Sequence, residues 1–450
     1  MKVINLGIGY VGLNTAAALA WIGHDVCGID IDPVKIEKLK NGQTPIREDG
    51  LDDLLRQTSH IQYTTDISSV VQDADIIFIA VGTPSLPNGH ANLEYVNAAA
   101  KSIAMTLLPT HDVTIVIKST VPLGINAAIE RRIRSTIAQR GGDVSKLHFA
   151  SNPEFLREGC ALSDTFYPDR IVIGTEDDVA FRMLSELYAP LLNQTFAIPP
   201  SVPAPANRPK VQLLRTTQTS AEMIKYASNV FLALKISYIN EISGLCEKLG
   251  ADITDVATGM GMDKRIAPYF LKSGLGWGGS CFPKDTKALL QIGNDYGYDM
   301  PLIQAAWDVN ENQRLRVIRQ IQEELKLIPG KKIAFFGLTF KPNTDDVRNS
   351  PAVELANQLI ALGARVVFHD PVGLPNARQV YADAAFTFAD SPIDAATDAD
   401  AIIIATEWKT YSTLDYAAIR RVVKTPCIFD TRHALNENAI RTLGFRYRGC

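Results

Sequence analysis

Short apolar runs alternate with helical patterns along the chain. A run at residues 2–6 precedes an alanine-rich helical pattern that ends near Trp21, and a second run follows at 25–30. The runs at 73–84 and 113–122 are rich in Val and Ile and show little alternation. Such runs are typical of parallel strands that are buried on both faces. The pattern therefore predicts an α/β fold built on a doubly wound sheet.

The same order of elements returns near the end of the chain. From residue 331 onward, a strand, a loop, a helix and a strand repeat the order of residues 3–30, and the run at 398–408 resembles the run at 73–83. The second copy lacks the glycine spacing that follows the first strand of the first copy. We therefore expect it to bind a nucleotide other than a dinucleotide.

A long helical pattern separates the two copies. It begins at Thr219, where Thr219 and Glu222 fit a capping box, and it runs to about Gly250. A helix of this length usually bridges domains or packs against its copy in a dimer. We predict two Rossmann-like doubly wound domains joined by a long central helix. The predicted domains are 1–198, 214–320 and 328–450.

A proline-rich stretch lies between the first domain and the central helix. Residues 199–209 contain five prolines. Proline is excluded from helix interiors and central strands, so the stretch predicts an extended, mobile surface loop or linker. We expect its shortening to leave fold and activity nearly intact, because the entropy cost of loop closure grows slowly with length.

Composition narrows the class of protein. The 450 residues carry a net charge of −4, which gives no electrostatic footprint for nucleic acid. No apolar run reaches the roughly 20 residues that a membrane span needs, and the N-terminus lacks a signal-peptide layout. We therefore expect a cytoplasmic protein without membrane contact. The six cysteines and seven histidines show neither the spacing of a disulfide framework nor that of a metal site.

Three glycines after the first strand supply the first chemical motif. Gly7, Gly9 and Gly12 form a G-x-G-x-x-G sequence between a predicted strand and a predicted helix, where free N–H groups favour a pyrophosphate. Asp30 is placed to bind the adenosine ribose hydroxyls and to repel a 2′-phosphate. The motif predicts a dinucleotide site that prefers NAD to NADP. A tight strand–helix turn without a ligand is the alternative.

Two threonines follow the next two apolar runs. Thr83 and Thr120 come where predicted strands end, and ligands of doubly wound sheets bind beyond these carboxyl ends. Both are therefore candidate cofactor contacts. A threonine that caps the next helix is the alternative.

A glycine-rich loop around a cysteine supplies the second motif. Four glycines lie between residues 274 and 279, and Cys281, Lys284 and Asp285 follow. Glycine lets a substrate approach the main chain closely, and a nearby lysine favours the thiolate, so Cys281 is a candidate nucleophile. A tight structural turn around a buried cysteine is the alternative.

Two glutamates in a short segment are candidate acid–base groups. Pro153 fixes a turn, and Glu154 and Glu158 are four residues apart, which predicts that both lie on the first turn of a helix. A solvated capping turn would give the same pattern.

Seven motifs, taken in order, resemble the UDP-glucose/GDP-mannose dehydrogenase family: GxGYVG, VGTP, KSTVP, NPEFLREG, a Lys-x-x-x-Asn helix, GGSCFPKD and GLTFKPNTDD. They span nearly the whole chain. The resemblance implies an NAD-dependent enzyme that oxidises UDP-glucose to UDP-glucuronate, with two NAD reduced and one water consumed. It also implies a homodimer. The domains would be NAD-binding at 1–198, central at 214–320 and UDP-sugar-binding at 328–450.

The resemblance assigns roles to five catalytic residues. Asp285, with an ordered water and Lys225, assists removal of the hydroxyl proton. Cys281 then adds to the aldehyde, and Lys225 and Asn229 stabilise the oxyanion of the thiohemiacetal. The second oxidation gives a thioester, which is hydrolysed by a water that Glu154 directs.

The resemblance also implies two sets of binding residues and no metal ligand. Those for the cofactor are Gly7, Gly9, Tyr10, Val11, Gly12, Asp30, Lys35, Thr83, Thr120, Glu158, Lys284 and Arg348. Those for the substrate are Phe155, Leu156, Arg157, Lys225, Asn229, Arg265, Phe270, Leu271, Gly278, Phe340, Lys341 and Arg432. In the family, the arginine at the position of Arg265 reaches the nucleotide sugar of the partner subunit.

Three other functions share part of the pattern. A GDP-mannose or UDP-N-acetylhexosamine dehydrogenase has the same mechanism, but the latter group usually carries His where this chain has Ser280. A two-electron hydroxyacid or phosphogluconate dehydrogenase leaves Cys281 and the second doubly wound domain unexplained. A non-catalytic nucleotide sensor needs no thiol. Asp49 and Asn92 depart from the usual residues of the family and leave the flanking substrate contacts open.

Overall fold

The computed structural model describes residues 1–449, and the chain folds into two compact units. Unit 1 is Met1–Ala227, and unit 2 begins at Ser228. The boundary between the units falls within one long helix, Gln218–Leu249.

Unit 1 alternates strands and helices, as the sequence predicts. Its strands are β1 (Lys2–Leu6), β2 (Asp25–Ile29), β3 (Ile61–Thr64), β4 (Ile76–Ile79), β5 (Val113–Ile117), β6 (Leu147–Ser151), β7 (Arg170–Gly174) and β8 (Gln212–Thr216). Its helices before the long one are α1 (Tyr10–Trp21), α2 (Pro33–Lys40), α3 (Leu51–Arg56), α4 (Glu94–Thr106), α5 (Ile125–Gln139), α6 (Ala161–Phe166) and α7 (Asp178–Asn193). Short 3-10 turns lie at Ile67–Ser69, Val71–Asp73 and Val144–Lys146.

The strands of unit 1 form one sheet in the order β3-β2-β1-β4-β5-β6-β7-β8. Neighbouring strands are parallel except β6 and β7, which pair antiparallel. On β4, Phe78 belongs to one hydrophobic core and Ile77 and Ile79 to the other, because successive side chains point to opposite faces. The strand order reverses between β1 and β4, which is where ligands bind in such sheets.

The long helix is α8 (Gln218–Leu249), and its 32 residues confirm the predicted central helix. The predicted cap at Thr219 is wrong. The Ser220 N–H donates to Thr217 Oγ1 at 3.1 Å, so Thr217 caps the helix two residues earlier.

Glu222 also departs from the predicted capping box. Its carboxylate accepts hydrogen bonds from the N–H groups of Gly124, at 2.7 Å, and Asn126, at 3.0 Å, at the start of α5. The first N–H groups of a helix have no partner within the helix. Glu222 satisfies two of them on α5 instead of returning to the start of its own helix.

Unit 2 contains the rest of α8 and a second set of alternating elements. Its described strands are β9 (Lys332–Phe336), β10 (Arg365–His369), β11 (Thr387–Phe388), β12 (Ala401–Ile404), β13 (Cys427–Asp430) and β14 (Arg446–Gly449). Its helices after α8 are α9 (Ile253–Gly261), α10 (Phe282–Asp295), α11 (Pro301–Leu325), α12 (Pro351–Ala361), α13 (Leu374–Val380), α14 (Pro392–Ala396), α15 (Lys409–Ser412), α16 (Tyr416–Val422) and α17 (Glu437–Thr442).

The described strands of unit 2 form a parallel sheet in the order β11-β10-β9-β12-β13-β14. This repeats the order of the first six strands of unit 1. The two Rossmann-like sheets and the long central helix confirm the predicted fold class.

The second copy differs from the first where a dinucleotide would bind. Asp370 follows β10 as Asp30 follows β2. The Asp370 carboxylate accepts hydrogen bonds from the Leu338 N–H, at 2.8 Å, and from the Trp408 indole N–H, at 3.3 Å. The Leu338 bond matches the bond from the Ile8 N–H to Asp30 in the first copy, while the Trp408 indole occupies an oxygen of Asp370 in addition. No helix begins in the loop after β9 until Pro351. This agrees with the expectation that unit 2 binds a different nucleotide.

The proline-rich stretch is packed at its start and exposed further along. Val202 is 3% exposed and lies in a hydrophobic core of unit 1. Residues 203–207 are exposed. The predicted surface loop is therefore confirmed for 203–207 and wrong for Val202, whose apolar side chain is more stable away from water.

Two features are absent from residues 1–449. No helix there is both long enough and apolar enough to cross a membrane. In the same residues, His, Cys, Asp and Glu side chains form no group of three or more that could hold a metal ion.

Candidate active site

The three glycines of the loop after β1 have different surroundings. A Cβ on Gly7, whose φ is 94°, would lie 2.7 Å from the Ala80 carbonyl oxygen, and a Cβ on Gly12 would lie 1.8 Å from the Gly7 oxygen. A Cβ on Gly9 would meet nothing within 4 Å. Gly7 and Gly12 therefore let the turn close, and Gly9 leaves open space at the start of α1. Free N–H groups there favour an anion, so the loop fits the pyrophosphate of NAD.

Asp30 lies beside this loop at the carboxyl end of β2. Its carboxylate accepts hydrogen bonds from the N–H groups of Ile8 and Asp32, both at 3.0 Å. Lys35 Nζ lies 3.5 Å from Asp30 Oδ2. The structure thus brings together two of the predicted cofactor residues and places the carboxylate where a ribose would bind in a dinucleotide fold.

The other predicted cofactor residues of this region surround the same switch point. Tyr10 and Val11 are the first residues of α1. The Thr83 hydroxyl donates to the Thr120 carbonyl oxygen at 2.8 Å. This bond joins the loops that follow β4 and β5, so the two threonines lie together at the carboxyl ends of their strands, as the sequence predicts.

Glu154 and Lys225 form a buried ion pair. Lys225 Nζ lies 2.8 Å from Glu154 Oε1, and the side chains are 4% and 8% exposed, respectively. The Leu156 N–H donates to Glu154 Oε2 at 2.6 Å. Burial opposes ionisation of Glu154, but the Lys225 ammonium and the Leu156 N–H outweigh it, and the pKa of this carboxyl lies below its ordinary value. Both residues were predicted to be catalytic, and unit 1 brings them together.

A second buried lysine near this pair was not among the predicted site residues. Lys118 Nζ donates to Asn152 Oδ1 at 2.9 Å, and the Tyr188 hydroxyl donates to the same oxygen at 2.7 Å. Burial lowers the pKa of Lys118 to about 8, while Glu154 opposes the decrease and Lys225 adds to it. The sequence signal was a lysine directly after the Val and Ile run of a buried strand, where a charged side chain has to find buried partners.

The segment between β6 and α6 is not helical, which corrects the prediction for Glu154 and Glu158. Residues 152–157 have no regular secondary structure, and α6 begins only at Ala161. The Glu154 side chain turns inward to Lys225, and Glu158 is half-buried. Because Glu154 is buried in an ion pair with Lys225, the two carboxylates do not share one solvated face of a helix.

The predicted substrate residues of this segment have separate partners. The Arg170 guanidinium lies 3.6 Å from the centroid of the Phe155 ring, and Lys225 Nζ lies 5.6 Å from the same centroid. Arg157 pairs with Asp164 at 2.6 Å. Leu156 supplies the main-chain donor to Glu154. Of these side chains, Phe155 thus packs against the Glu154–Lys225 pair, while the Arg157 guanidinium is turned to Asp164.

In unit 2, the glycines before Cys281 are fixed by close contacts. A Cβ on Gly276, whose φ is 101°, would lie 2.2 Å from Asn310 Oδ1. A Cβ on Gly278 would lie 2.1 Å from the Asn349 carbonyl oxygen. Asn310 also accepts a hydrogen bond from the Trp277 N–H at 2.7 Å. A side chain at either glycine would displace the loop, which explains the spacing of the motif.

Cys281 is the N-cap residue of α10, and its side chain is partly buried. Its thiol lies 3.5 Å from the Ser280 hydroxyl. The Asp285 N–H donates to the Cys281 carbonyl oxygen at 2.8 Å, which closes the first turn of the helix. The start of a helix favours negative charge, so this position suits a nucleophilic thiolate.

Asp285 receives two side-chain donors. Asn229 Nδ2 donates to Asp285 Oδ2 at 2.6 Å, and the Lys284 ammonium pairs with Asp285 Oδ1. Asp285 is 1% exposed. Unit 2 thus brings together two predicted catalytic residues, Asn229 and Asp285. Lys284 was predicted to favour the thiolate and to meet the cofactor, and here its charge is matched by Asp285.

The loop after β9 packs against the cysteine loop. A Cβ on Gly279 would lie 2.8 Å from the Phe340 ring, and the Lys341 ammonium lies 5.5 Å from the centroid of that ring. Arg432 Nη1 lies 2.8 Å from the position that a Cβ on Gly274 would take. Phe340, Lys341 and Arg432 were predicted as substrate residues, and Phe340 and Arg432 border the glycine-rich loop.

Two further predicted residues of unit 2, Arg348 and Arg265, each pair with an aspartate two residues earlier. The guanidinium of Arg348 pairs with Asp346 at 2.8 Å, and that of Arg265 pairs with Asp263 at 2.6 Å. The Arg265 side chain is 88% exposed.

Phe270 and Leu271 lie between α9 and the cysteine loop. Phe270 has a φ of 62°, which is uncommon for a residue other than glycine, and its ring lies 6.1 Å from the Phe282 ring. Leu271 is buried. Through its ring, Phe270 contacts the first residue of α10, directly after Cys281.

Three family models match the chain in order. They are described as the NAD binding domain, the central domain and the UDP binding domain of the UDP-glucose/GDP-mannose dehydrogenase family, and they match residues 1–192, 219–312 and 334–437.

Individual proteins of known name are similar to this chain over nearly its whole length. The chain is 44% identical to the UDP-glucose 6-dehydrogenase YwqF of Bacillus subtilis, over 99% of this chain and 97% of that protein. It is also 44% identical to a UDP-glucose 6-dehydrogenase of Rhizobium meliloti, over 99% and 98% of the two chains. Among solved structures, a UDP-glucose dehydrogenase from Pyrobaculum islandicum is 36% identical with a TM-score of 0.86, over 100% and 97% of the chains. A UDP-D-ManNAc dehydrogenase from Pyrococcus horikoshii is 25% identical with a TM-score of 0.84, over 100% and 99%.

Proposed function

The chain belongs to the UDP-glucose/GDP-mannose dehydrogenase family, and on this premise we propose that it oxidises UDP-glucose to UDP-glucuronate in a four-electron reaction. NAD is the cofactor. In the proposed reaction, two NAD are reduced for each water consumed. The two bacterial UDP-glucose 6-dehydrogenases support the choice of sugar nucleotide. The observation that carries the four-electron reaction is the position of Cys281 as N-cap of α10. A two-electron dehydrogenase has no need of a nucleophile there.

The residues of unit 1 fit NAD. When bound, NAD accepts the hydride in each of the two oxidations. Gly9 and the start of α1 leave room and N–H groups for its pyrophosphate, and Asp30 offers a carboxylate to the ribose. Thr83 and Thr120 lie at the strand ends where the reactive part of a dinucleotide is placed in such sheets.

Two oxidations at one carbon require that the aldehyde be held and made tetrahedral between them. In the proposal, Cys281 Sγ forms a bond to the aldehyde carbon, and the carbonyl oxygen becomes the oxyanion of a thiohemiacetal. Lys225 and Asn229 stabilise this oxyanion with a positive charge and an N–H donor. Asp285 assists removal of the proton from the 6-hydroxyl. Loss of the second hydride converts the adduct into a thioester.

The thioester is then hydrolysed. Water attacks its carbonyl carbon, the bond to Cys281 Sγ breaks, and Glu154 receives the proton of the water. The pKa of Glu154 lies below its ordinary value, which keeps this carboxylate ionised, the form that can receive a proton. Lys225 holds the carboxylate in place and limits its conformations. The products are UDP-glucuronate and the free thiol.

We extend the proposal to a homodimer formed through α8. Phe231, Tyr238, Leu245 and Leu249 are large, exposed apolar side chains spaced seven, seven and four residues apart on this helix. Spacing of this kind places them along one stripe, which a second copy of the helix can cover. Phe231→Asp combined with Tyr238→Asp should give monomers by light scattering. A dimer that persists in this variant would exclude α8 as the interface.

The proposal also includes a cytoplasmic location. A reducing compartment keeps thiols free, and Cys281 has to remain a free thiol to act as nucleophile.

A panel of sugar nucleotides tests the proposed reaction. We expect purified protein to release two NADH per UDP-glucose, with far slower reaction of UDP-N-acetylglucosamine, UDP-N-acetylmannosamine and GDP-mannose. A preference for GDP-mannose or an N-acetylhexosamine would replace the substrate assignment. One NADH per sugar would exclude the four-electron reaction.

A further inference from the structure

A buried carboxylate outside the proposed catalytic groups contacts the end of the segment that carries Glu154. Glu48 lies in the loop between α2 and α3 and is 8% exposed. Its Oε2 accepts hydrogen bonds from the Tyr10 hydroxyl and, at 2.9 Å, from the Gly159 N–H. Its Oε1 accepts from the Leu162 N–H at 3.4 Å. The Gly159 N–H also lies 2.5 Å from the Tyr10 oxygen.

Three distant parts of unit 1 meet at this carboxylate. Tyr10 is the first residue of α1 in the glycine loop, and Gly159 lies two residues before α6. Glu48 satisfies the N–H group of Leu162, which lies in the first turn of α6 and has no partner within the helix, and the N–H group of Gly159 just before the helix. Burial raises the pKa of the Tyr10 hydroxyl, and the bond to Glu48 raises it further, so this hydroxyl remains a donor. The contact therefore ties the end of segment 152–159 to the dinucleotide loop.

Segment 152–159 depends on its fixed ends because it has no regular secondary structure of its own. At its start, Asn152 Nδ2 donates to the Val172 carbonyl oxygen at 2.8 Å. At its end, Gly159 has a φ of 76° and is held by Glu48 and Tyr10. Glu154 lies between these two ends. If the Gly159 end is released, the main chain around Glu154 gains freedom to move.

We propose that Glu48 is a positioning residue for the hydrolytic step, because it fixes segment 152–159 and with it the Glu154 carboxylate. This inference rests on the proposed function, in which Glu154 directs the water that attacks the thioester. The two oxidations make no use of that water. Loss of Glu48 should therefore slow release of the acid more than it slows formation of NADH.

Rapid mixing of enzyme with UDP-glucose and NAD, followed by acid quench and peptide mass spectrometry, tests the proposal. Glu48→Ala should form about two NADH per subunit quickly and then turn over at least about tenfold more slowly than wild type, since displacements near 1 Å have large effects on rate. A UDP-glucuronyl adduct should accumulate on the peptide that contains Cys281. Glu48→Gln keeps one acceptor oxygen and should recover most of the turnover.

Glu222→Ala is the matched control. Glu222 is also a buried carboxylate that accepts from two N–H groups at the start of a helix, but it has no bond to segment 152–159. We expect a comparable loss of thermal stability without accumulation of the adduct. Hydrogen exchange adds a readout independent of turnover. The amides of Gly159 and Leu162 should exchange faster in Glu48→Ala and remain unchanged in Glu222→Ala.

Several results would overturn the inference. These are unchanged exchange at Gly159, equal amounts of adduct in Glu48→Ala and Glu222→Ala, or an equal slowing of NADH formation and acid release. If Glu154→Gln accumulates adduct and Glu48→Ala does not, the positioning role of Glu48 fails and the covalent mechanism stands. If neither variant forms adduct, the covalent mechanism fails together with the inference. Should Glu48→Ala not fold, Tyr10→Phe removes one of the two bonds to Gly159 and is expected to slow acid release to a smaller extent.

Discussion

The Lys225 ammonium lies 2.8 Å from the Glu154 carboxylate, and both side chains are almost fully withdrawn from solvent. Lys118, nearby and equally buried, has the neutral side chain of Asn152 as its hydrogen-bond acceptor. When both lysines are protonated, the cluster has one positive charge more than the single carboxylate can balance. Such a cluster favours negative charge on a bound group.

Glu154→Gln should separate the oxidations from hydrolysis. The variant loses the proton acceptor for water and leaves Lys225 buried without its counter-ion. We expect NADH formation in the first turnover to persist, while steady-state turnover falls about 100-fold or more. The free energy of unfolding should fall by about 3 kcal/mol, since a buried charge without its partner is costly.

A surface pair gives the control for the stability effect of Glu154→Gln. Glu130 pairs with Arg134 on α5 with both side chains partly exposed, so Glu130→Gln should change the free energy of unfolding by at most about 0.5 kcal/mol. Equal stability effects in the two variants, measured by urea denaturation, would contradict the buried pair.

The stability contribution of Lys118 should depend on pH. Burial lowers its pKa to about 8. Between that value and the ordinary pKa of lysine, the folded protein binds fewer protons than the unfolded chain, so its stability rises with pH in this window. The destabilisation is fully present below pH 8 and is relieved as the pH rises toward that of free lysine. From pH 7 to pH 9, wild type should gain about 1 kcal/mol of unfolding free energy relative to Lys118→Met. A difference that does not change with pH would show that Lys118 titrates normally.

Asp30 should set the preference for NAD over NADP. Its carboxylate is nine-tenths buried and accepts from the Ile8 N–H at the glycine loop. A 2′-phosphate next to a buried carboxylate costs several kcal/mol, so kcat/KM for NAD should exceed that for NADP at least about 100-fold. Asp30→Ser should narrow this ratio mainly by lowering kcat/KM for NAD. Comparable values for the two cofactors in wild type would contradict the assignment.

The proline-rich stretch should show two different responses. Val202→Ala removes buried methyl groups from the core and should lower the free energy of unfolding by about 1–2 kcal/mol. Pro205→Ala, at an exposed position, should change it by at most about 0.5 kcal/mol and leave turnover unaffected. Thermal unfolding of the two variants gives the comparison. A larger loss of unfolding free energy from Pro205→Ala would contradict the exposed position of residues 203–207.

The two doubly wound sheets and the central helix follow from patterns that the sequence displays directly. Runs of Val and Ile without alternation indicate strands covered on both faces, and β4 divides Phe78 from Ile77 and Ile79 as that interpretation requires. Glu154 and Lys225 were assigned separate roles in the same reaction, and their ion pair was not predicted. The two residues are 71 positions apart, and the periodicity of apolar residues along the chain does not predict contacts over such a distance.

The wrong predictions for Glu222 and Glu154 have one cause. In each case the side chain bonds to a partner that is distant along the chain instead of a local one. Glu222 satisfies the start of α5 instead of its own helix, and Glu154 turns to Lys225 instead of a helical surface. Local sequence rules describe neighbours along the chain, and neither choice is visible to them. Lys118 and Glu48 were overlooked for the same reason, because their roles depend on tertiary contacts with Asn152 and Gly159.

The covalent role of Cys281 is the central claim, and the NADH stoichiometry of Cys281→Ala tests it most directly. The measurement is NADH formed per UDP-glucose consumed, with Cys160→Ala, which alters an exposed cysteine, as the control. The account predicts two NADH per sugar at the wild-type rate for the control. It predicts that Cys281→Ala binds NAD and UDP-glucose but does not complete the four-electron reaction, because the aldehyde has no thiolate to hold it for the second oxidation. Two NADH per sugar at the wild-type rate from Cys281→Ala would contradict the account.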